Sequence, residues 1–224
     1  MKNAILFFFG LLLSTYSLAQ LKGGTVFLKG GYMYAPGAGK ELTGLQNEID
    51  GFTDNFSLLG VEAMYRKGPW IAGLETAFGA QKARTKDIQS LKPYTGAAHI
   101  QVGYIVWEGQ EYWLYPSAAI GVSMHNLSVR EKNLGKTSKI DNIVQYAPSV
   151  SFGFNGDFLT TRESRDQKSA GGLVLGYRIG YRFSLSNADW KNEDGNVIET
   201  GSNYRNNAFY FSLVVGLGFY KNAR

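Results

Sequence analysis

Cysteine is absent from the sequence. No disulfide supports the fold, and no thiolate is available as a metal ligand or nucleophile. Proline occurs only five times, so few positions are barred from regular backbone pairing. Helical heptads are scarce. The main apolar run is shorter than the about 20 residues a membrane-spanning helix needs. The basic residues are scattered along the chain rather than gathered in a stripe, which argues against a nucleic-acid partner. Glycine, in contrast, is abundant at 28 of 224 residues, and tyrosine and phenylalanine contribute 14 each. Glycine with aromatics and little proline points to strands joined by turns.

The N-terminus reads as an export signal. Lys2 precedes the apolar run Ala4–Leu13, and small residues stand at Ser17 and Ala19. That order fits a secretory signal peptide of residues 1–19, cleaved before Gln20. Its removal takes one basic and no acidic residue, leaving 22 basic against 18 acidic groups, a net charge of +4. The mature chain, residues 20–224, is expected to form a single β-barrel domain.

Alternation with period two dominates that segment. Along Asn207–Lys221, Phe209, Phe211, Leu213, Val215, Leu217 and Phe219 share one face, and Ser212, Gly216 and Gly218 lie on the other. Successive strand side chains point to opposite faces, so this is the mark of a half-apolar strand. The same pattern recurs in Leu173–Leu185, Val144–Phe154, Tyr94–Val106 and Trp70–Ala80. Thr25–Tyr34, Ser57–Tyr65 and Tyr112–Met124 follow it less regularly. Eight strands result, near the roughly 9–11 residues that a tilted strand needs to cross a bilayer. Inside hydrocarbon every backbone polar group must be paired, which a sheet achieves only by closing. The expected fold class is all-β, an eight-stranded antiparallel up-and-down transmembrane β-barrel in the cell outer membrane.

The links alternate in length. Short ones lie at Arg66–Pro69 and Trp107–Glu111, and long ones near Ala35–Phe56, Gln81–Pro93, His125–Ile143 and Ser186–Asn206. Thr160–Gly171 is longer than a tight turn should be. Outer-membrane barrels keep short turns in the periplasm and long loops outside, so both termini are expected in the periplasm.

Charge placement identifies the inner face. An Arg or Lys facing the bilayer midplane costs about 2–4 kcal/mol. Lys29, Glu62, Glu75, His99, Gln101, Asn155, Arg178 and Arg182 therefore point into the lumen. An eight-stranded interior is just wide enough for side chains to fill, and its charges need partners. Lys29, Glu62, Glu75, His99, Gln101, Arg178 and Arg182 form the expected lumen network of a plugged barrel. Tyr32, Tyr34, Tyr65, Trp70, Tyr94, Tyr104, Tyr112, Tyr146 and Phe219 lie near strand ends and suit the headgroup level.

The Ser17-Leu18-Ala19-Gln20 junction, Gly30-Gly31-Tyr32, Gly103-Tyr104, Gly180-Tyr181 and Gly216-Leu217-Gly218-Phe219 carry a resemblance. Over nearly all of residues 20–224 the chain resembles the small outer-membrane β-barrel proteins of Bacteroidota-type bacteria, including the PorT-like group. The resemblance implies that the last strand, ending in aromatic Phe219, is the signal read by the barrel-assembly machinery. Tyr220–Arg224 runs past that residue, a departure from the pattern.

Chemistry has little footing in the sequence. Ser123, His125 and Ser128 offer no spacing that defines a catalytic group. Asp54, Asp87, Asp141 and Asp189 are expected at the solvated surface, Asp189–Gly195 lacks the EF-hand spacing, and Gly37-Ala38-Gly39-Lys40 lacks the full phosphate loop. No catalytic, metal or cofactor site is expected. The expected partners are outer-membrane lipids, the assembly machinery, and a surface or periplasmic protein of unspecified identity. A structural or surface-interaction barrel is the leading reading. A narrow channel or transport and secretion accessory is the first alternative, and a rim-based lipid-modifying enzyme the second. A soluble periplasmic barrel is disfavoured by the apolar face of Leu173–Leu185.

Overall fold

The computed structural model describes residues 21–45, 51–86, 89–109, 111–133, 136–163, 169–198 and 204–222. The expected signal segment, residues 1–19, lies outside them. Eight long strands follow in order: β1 Leu21–Tyr34, β2 Asn55–Lys67, β3 Trp70–Ala80, β4 Gln89–Tyr104, β5 Tyr112–Asn133, β6 Lys136–Glu163, β7 Ser169–Ser184 and β8 Ala208–Asn222. Each pairs antiparallel with its sequence neighbour, and β8 returns to β1. At that seam Leu28 faces Val215, which on its other side faces Leu175. The sheet therefore closes into an antiparallel up-and-down barrel.

Alternation sorts the side chains. Leu28, Leu59, Leu74, Ile100, Ile120, Phe152, Ile179 and Leu213, one from each strand, are all exposed on the outer wall. Their inward neighbours are buried or half-buried. Apolar side chains left outside on every strand would be costly in water, at about 25 cal/mol per Å². They suit a surface that meets hydrocarbon.

The interior is layered. At the end away from the termini, Met33, Phe56, Leu91, Leu127, Ile143 and Trp190 form an apolar cluster. Near the termini, Phe27, Met64, Trp113, Tyr115, Val174 and Tyr220 form a second one. Polar groups lie between. A short helix, α1 (Ala38–Gly44), follows Gly37, whose φ of 83° suits a residue without Cβ. Ala38 and Leu42 of α1 are buried in the first cluster, and Trp190 Nε1 donates to Glu41 Oε1 at 2.8 Å.

Two connections differ from the sequence expectation. Residues 125–143 are mostly not a loop. β5 runs on to Asn133 and β6 starts at Lys136, with a register shift at Val129/Arg130. Inward Leu127, Val129 and Ile143 keep the alternation going, while the lysines beyond them mask it. The Thr160–Gly171 link is also shorter than its sequence suggests, because β6 reaches Glu163 and β7 begins at Ser169. Backbone pairing continues there although the side chains are no longer apolar. Short strands extend the sheet beyond the barrel: Arg84–Lys86 pairs with β4, and Trp190–Lys191 pairs with both β6 and Val197–Ile198.

Candidate functional site

The central layer of the lumen is an ion-pair network drawn from distant strands. Lys29 Nζ donates to Glu75 Oε2 at 2.6 Å, and the other oxygen of Glu75 lies 3.1 Å from His99 Nδ1. His99 Nε2 is 2.9 Å from Ser149 Oγ. Gly121 makes that reach possible. It faces His99 on β4 and Ser149 on β6, and a Cβ there would lie 2.7 Å from His99 Cδ2. The imidazole thus lies across a missing side chain.

A second group forms around Arg178. Its Nε donates to both oxygens of Glu62 at 3.1 Å, and its Nη1 donates to Asp157 Oδ1 at 2.6 Å. Gln101 Nε2 donates to Glu62 Oε1 at 2.9 Å, and the Tyr115 hydroxyl donates to Asp157 Oδ2 at 3.0 Å. The guanidinium lies 4.9 Å from the Phe27 ring centre. Removing one partner from such a buried group leaves a charge uncompensated.

Of the seven expected lumen residues, six join these two groups: Lys29, Glu75 and His99 in one, Glu62, Gln101 and Arg178 in the other. Arg182 is also inside and buried, but lies apart. Four residues along a strand separate it from Arg178, about 13 Å. Its Nη2 donates to Asn206 Oδ1 at 3.0 Å and contacts Met33 Sδ at 3.3 Å, while Nε has no hydrogen-bond partner among the described residues. A cavity of about 20 Å³, room for one water, lies between Lys29, Glu75, His99, Arg182 and Tyr210.

Sequence reasoning missed Asp157, Tyr115, Ser149 and the pair Arg66–Glu108, whose Nη2 and Oε1 are 2.6 Å apart. Asp157 and Arg66 carry the inward alternation past where hydropathy ends the strands. Tyr115 was on the inward face of its strand, but no sequence pattern assigned it a partner.

Other expected residues are placed as follows. Tyr32, Tyr34, Tyr65, Trp70, Tyr146 and Phe219 are exposed on the outer wall, whereas Tyr94, Tyr104 and Tyr112 are half-buried. Asn155 Nδ2 donates to Ser117 Oγ at 2.8 Å in the lumen. Ser123 Oγ donates to Ala147 O at 3.4 Å, and His125 Nε2 is 3.2 Å from the Tyr204 hydroxyl. Burial pushes the Tyr204 phenol above its ordinary range. Asp54 Oδ1 accepts from Gly39 N at 2.8 Å and holds the start of α1. Asp87 lies outside the described residues. Among the described residues no cluster of three metal-ligating side chains occurs.

No family model matches the chain, and no curated protein matches it in sequence. Solved structures do. A major outer membrane protein of Thermus thermophilus has 10% identity over 89% of this chain and 98% of its own, with a TM-score of 0.51. Ail of Yersinia pestis has 8% identity over 91% and 99%, with a TM-score of 0.43. Neisserial surface protein A has 13% identity over 90% and 97%, with a TM-score of 0.40. At such identities the likeness concerns the fold. The chain is an eight-stranded antiparallel β-barrel with the fold of a small outer membrane protein.

Proposed function

We propose that the protein resides in the outer membrane, with its termini in the periplasm and its lumen closed, as a structural or surface-interaction barrel without catalytic activity. The apolar outer wall carries this reading. It runs around all eight strands of a sheet that has no edge, and a closed barrel is the sheet form that hydrocarbon tolerates. The two apolar clusters and the ion pairs between them favour a closed lumen over a pore. The two-residue link Gly68–Pro69 lies at the same end as the termini, and the long segments lie at the other, which favours periplasmic termini. Phe219, exposed on the last strand, is the residue the assembly machinery would read. Membership of the Bacteroidota-type, PorT-like group belongs to the same proposal, as do lipid partners and a protein partner at the loops.

The chain's lack of cysteine makes the test clean. On intact cells, a membrane-impermeant thiol reagent should label Glu193→Cys and leave Gly68→Cys unlabelled. The reverse pattern would invert the orientation. Outer-membrane fractions should contain a band whose gel mobility changes on boiling, and loss of that band from the fraction would sink the location. The purified barrel should give no steady conductance in a planar bilayer. Stable single-channel steps would replace the closed lumen with a channel.

A further inference from the structure

Scattered in sequence, the basic residues are grouped in space. The row Ala80, Tyr94, Asn126 and Val144 crosses neighbouring strands β3 to β6. Beyond it, segments 81–93 and 127–143 carry eight basic and three acidic residues, a net +5. The described residues of segments 35–54 and 185–207, which join β1 to β2 and β7 to β8, include three basic and five acidic ones. The ends of β3 to β6 are thus the more basic part of the loop-bearing rim.

The basic part has a defined outer face. Lys92 follows the alternation of outward Tyr94, with Nζ 5.1 Å from that ring centre. Ser90 shares that face and stands opposite exposed Arg130, so Arg130 lies diagonally beside Lys92. Across β6 the register places Lys139 opposite Arg130. Two outward cations thus stand side by side on this face, Arg130 exposed and Lys92 half-buried. Lys92 is two residues above Tyr94, about 7 Å along the strand, which sets it just beyond the apolar wall at Phe78 and Ile100.

We propose that this face of β4–β6, with Lys92 and Arg130 at its centre, binds the phosphate groups of a phosphorylated glycolipid in the surrounding outer leaflet. The proposal rests on the orientation given above. Sideways-facing cations immediately above the apolar belt meet lipid headgroups first, and each such cation strengthens binding to an anionic surface.

The test uses the folded full-length mature protein in neutral detergent, titrated with diphosphorylated lipid A or its dephosphorylated form, with bound copies counted by native mass spectrometry. The phosphorylated form should bind tighter. Lys92→Gln and Arg130→Gln should each weaken it about five-fold. Lys92→Arg should retain it, and Lys22→Gln, exposed on β1 at the end that holds the termini, should leave it unchanged. Each variant is checked for boiling-dependent gel mobility, so a failure of the barrel reading is seen separately from a failure of binding. Equal binding of both glycolipids, or wild-type binding by Lys92→Gln and Arg130→Gln, overturns the proposal. Salt-sensitive pairing of the protein with itself in place of glycolipid binding assigns the face to a second copy and overturns it equally.

Discussion

Arg178 on β7 and Glu62 on β2 meet across the lumen, although two strands separate them along the wall and 116 residues along the chain. A guanidinium can face two carboxylates here because Asp157 approaches from the β6 side. The barrel is thus braced through its interior as well as around its circumference.

Breaking that brace should be costly. Glu62→Gln and Arg178→Leu should each lower unfolding stability by about 3–5 kcal/mol, because each strands buried charge. The double variant should lose less than the two singles together. Urea titration of the protein refolded in micelles measures this, and additive losses would mean that the pair is not coupled.

Gly121 tests how closely the lumen is packed. Gly121→Val drives a side chain against the backbone carbonyl of Ala98 as well as against His99, and should destabilise by about 3 kcal/mol. His99→Ala in the same background should recover little of the loss, because the Ala98 carbonyl stays in place. A Gly121→Val barrel that melts like the wild type would show that β4 and β5 can shift apart at this point.

The outer wall makes an asymmetric prediction. Leu213→Arg places a cation on the exposed apolar face and should cost about 2–4 kcal/mol in a bilayer. Asp194→Arg, exposed in the segment between β7 and β8, should change stability by no more than about 0.5 kcal/mol. Equal effects in lipid vesicles would contradict a hydrocarbon-facing wall.

The cap offers an optical readout. Trp190 is buried and bonded to Glu41 of α1, whereas Trp70 and Trp107 are exposed. Glu41→Ala should leave the indole N–H unpaired at a cost of about 1–3 kcal/mol. Quenching by acrylamide should then increase, and a Trp190→Phe background should abolish that increase.

The barrel was legible because alternation is enforced wherever one face meets apolar surroundings. Leu213 and Ser212 could be assigned to opposite faces from their order alone. Legibility failed where that pressure ended. Arg130, Lys132 and Lys136 belong to strands, yet their side chains carry no hydrophobic period, so 125–143 read as a loop. Helix α1 was missed because its seven residues are too few to show a helical period and it is held by Trp190 and Phe52 from elsewhere. Lumen membership followed from cost, since Lys29 and Glu75 could not face lipid. Pairing did not follow, because which charges meet depends on the stagger between strands. Arg182 and Arg178 read alike on one strand, and their surroundings differ.

The pairing of the first long strand with the last has a kinetic consequence. β1 cannot complete its hydrogen bonds until β8, which ends at Asn222, has been synthesised. Any shorter growing chain presents an unfilled edge of 14 positions, from Leu21 to Tyr34. Closure between residues about 200 positions apart, Leu21 and Asn222, is entropically slow. The β1–β8 seam can form only once β8 has been made, so closure of the barrel comes late in folding.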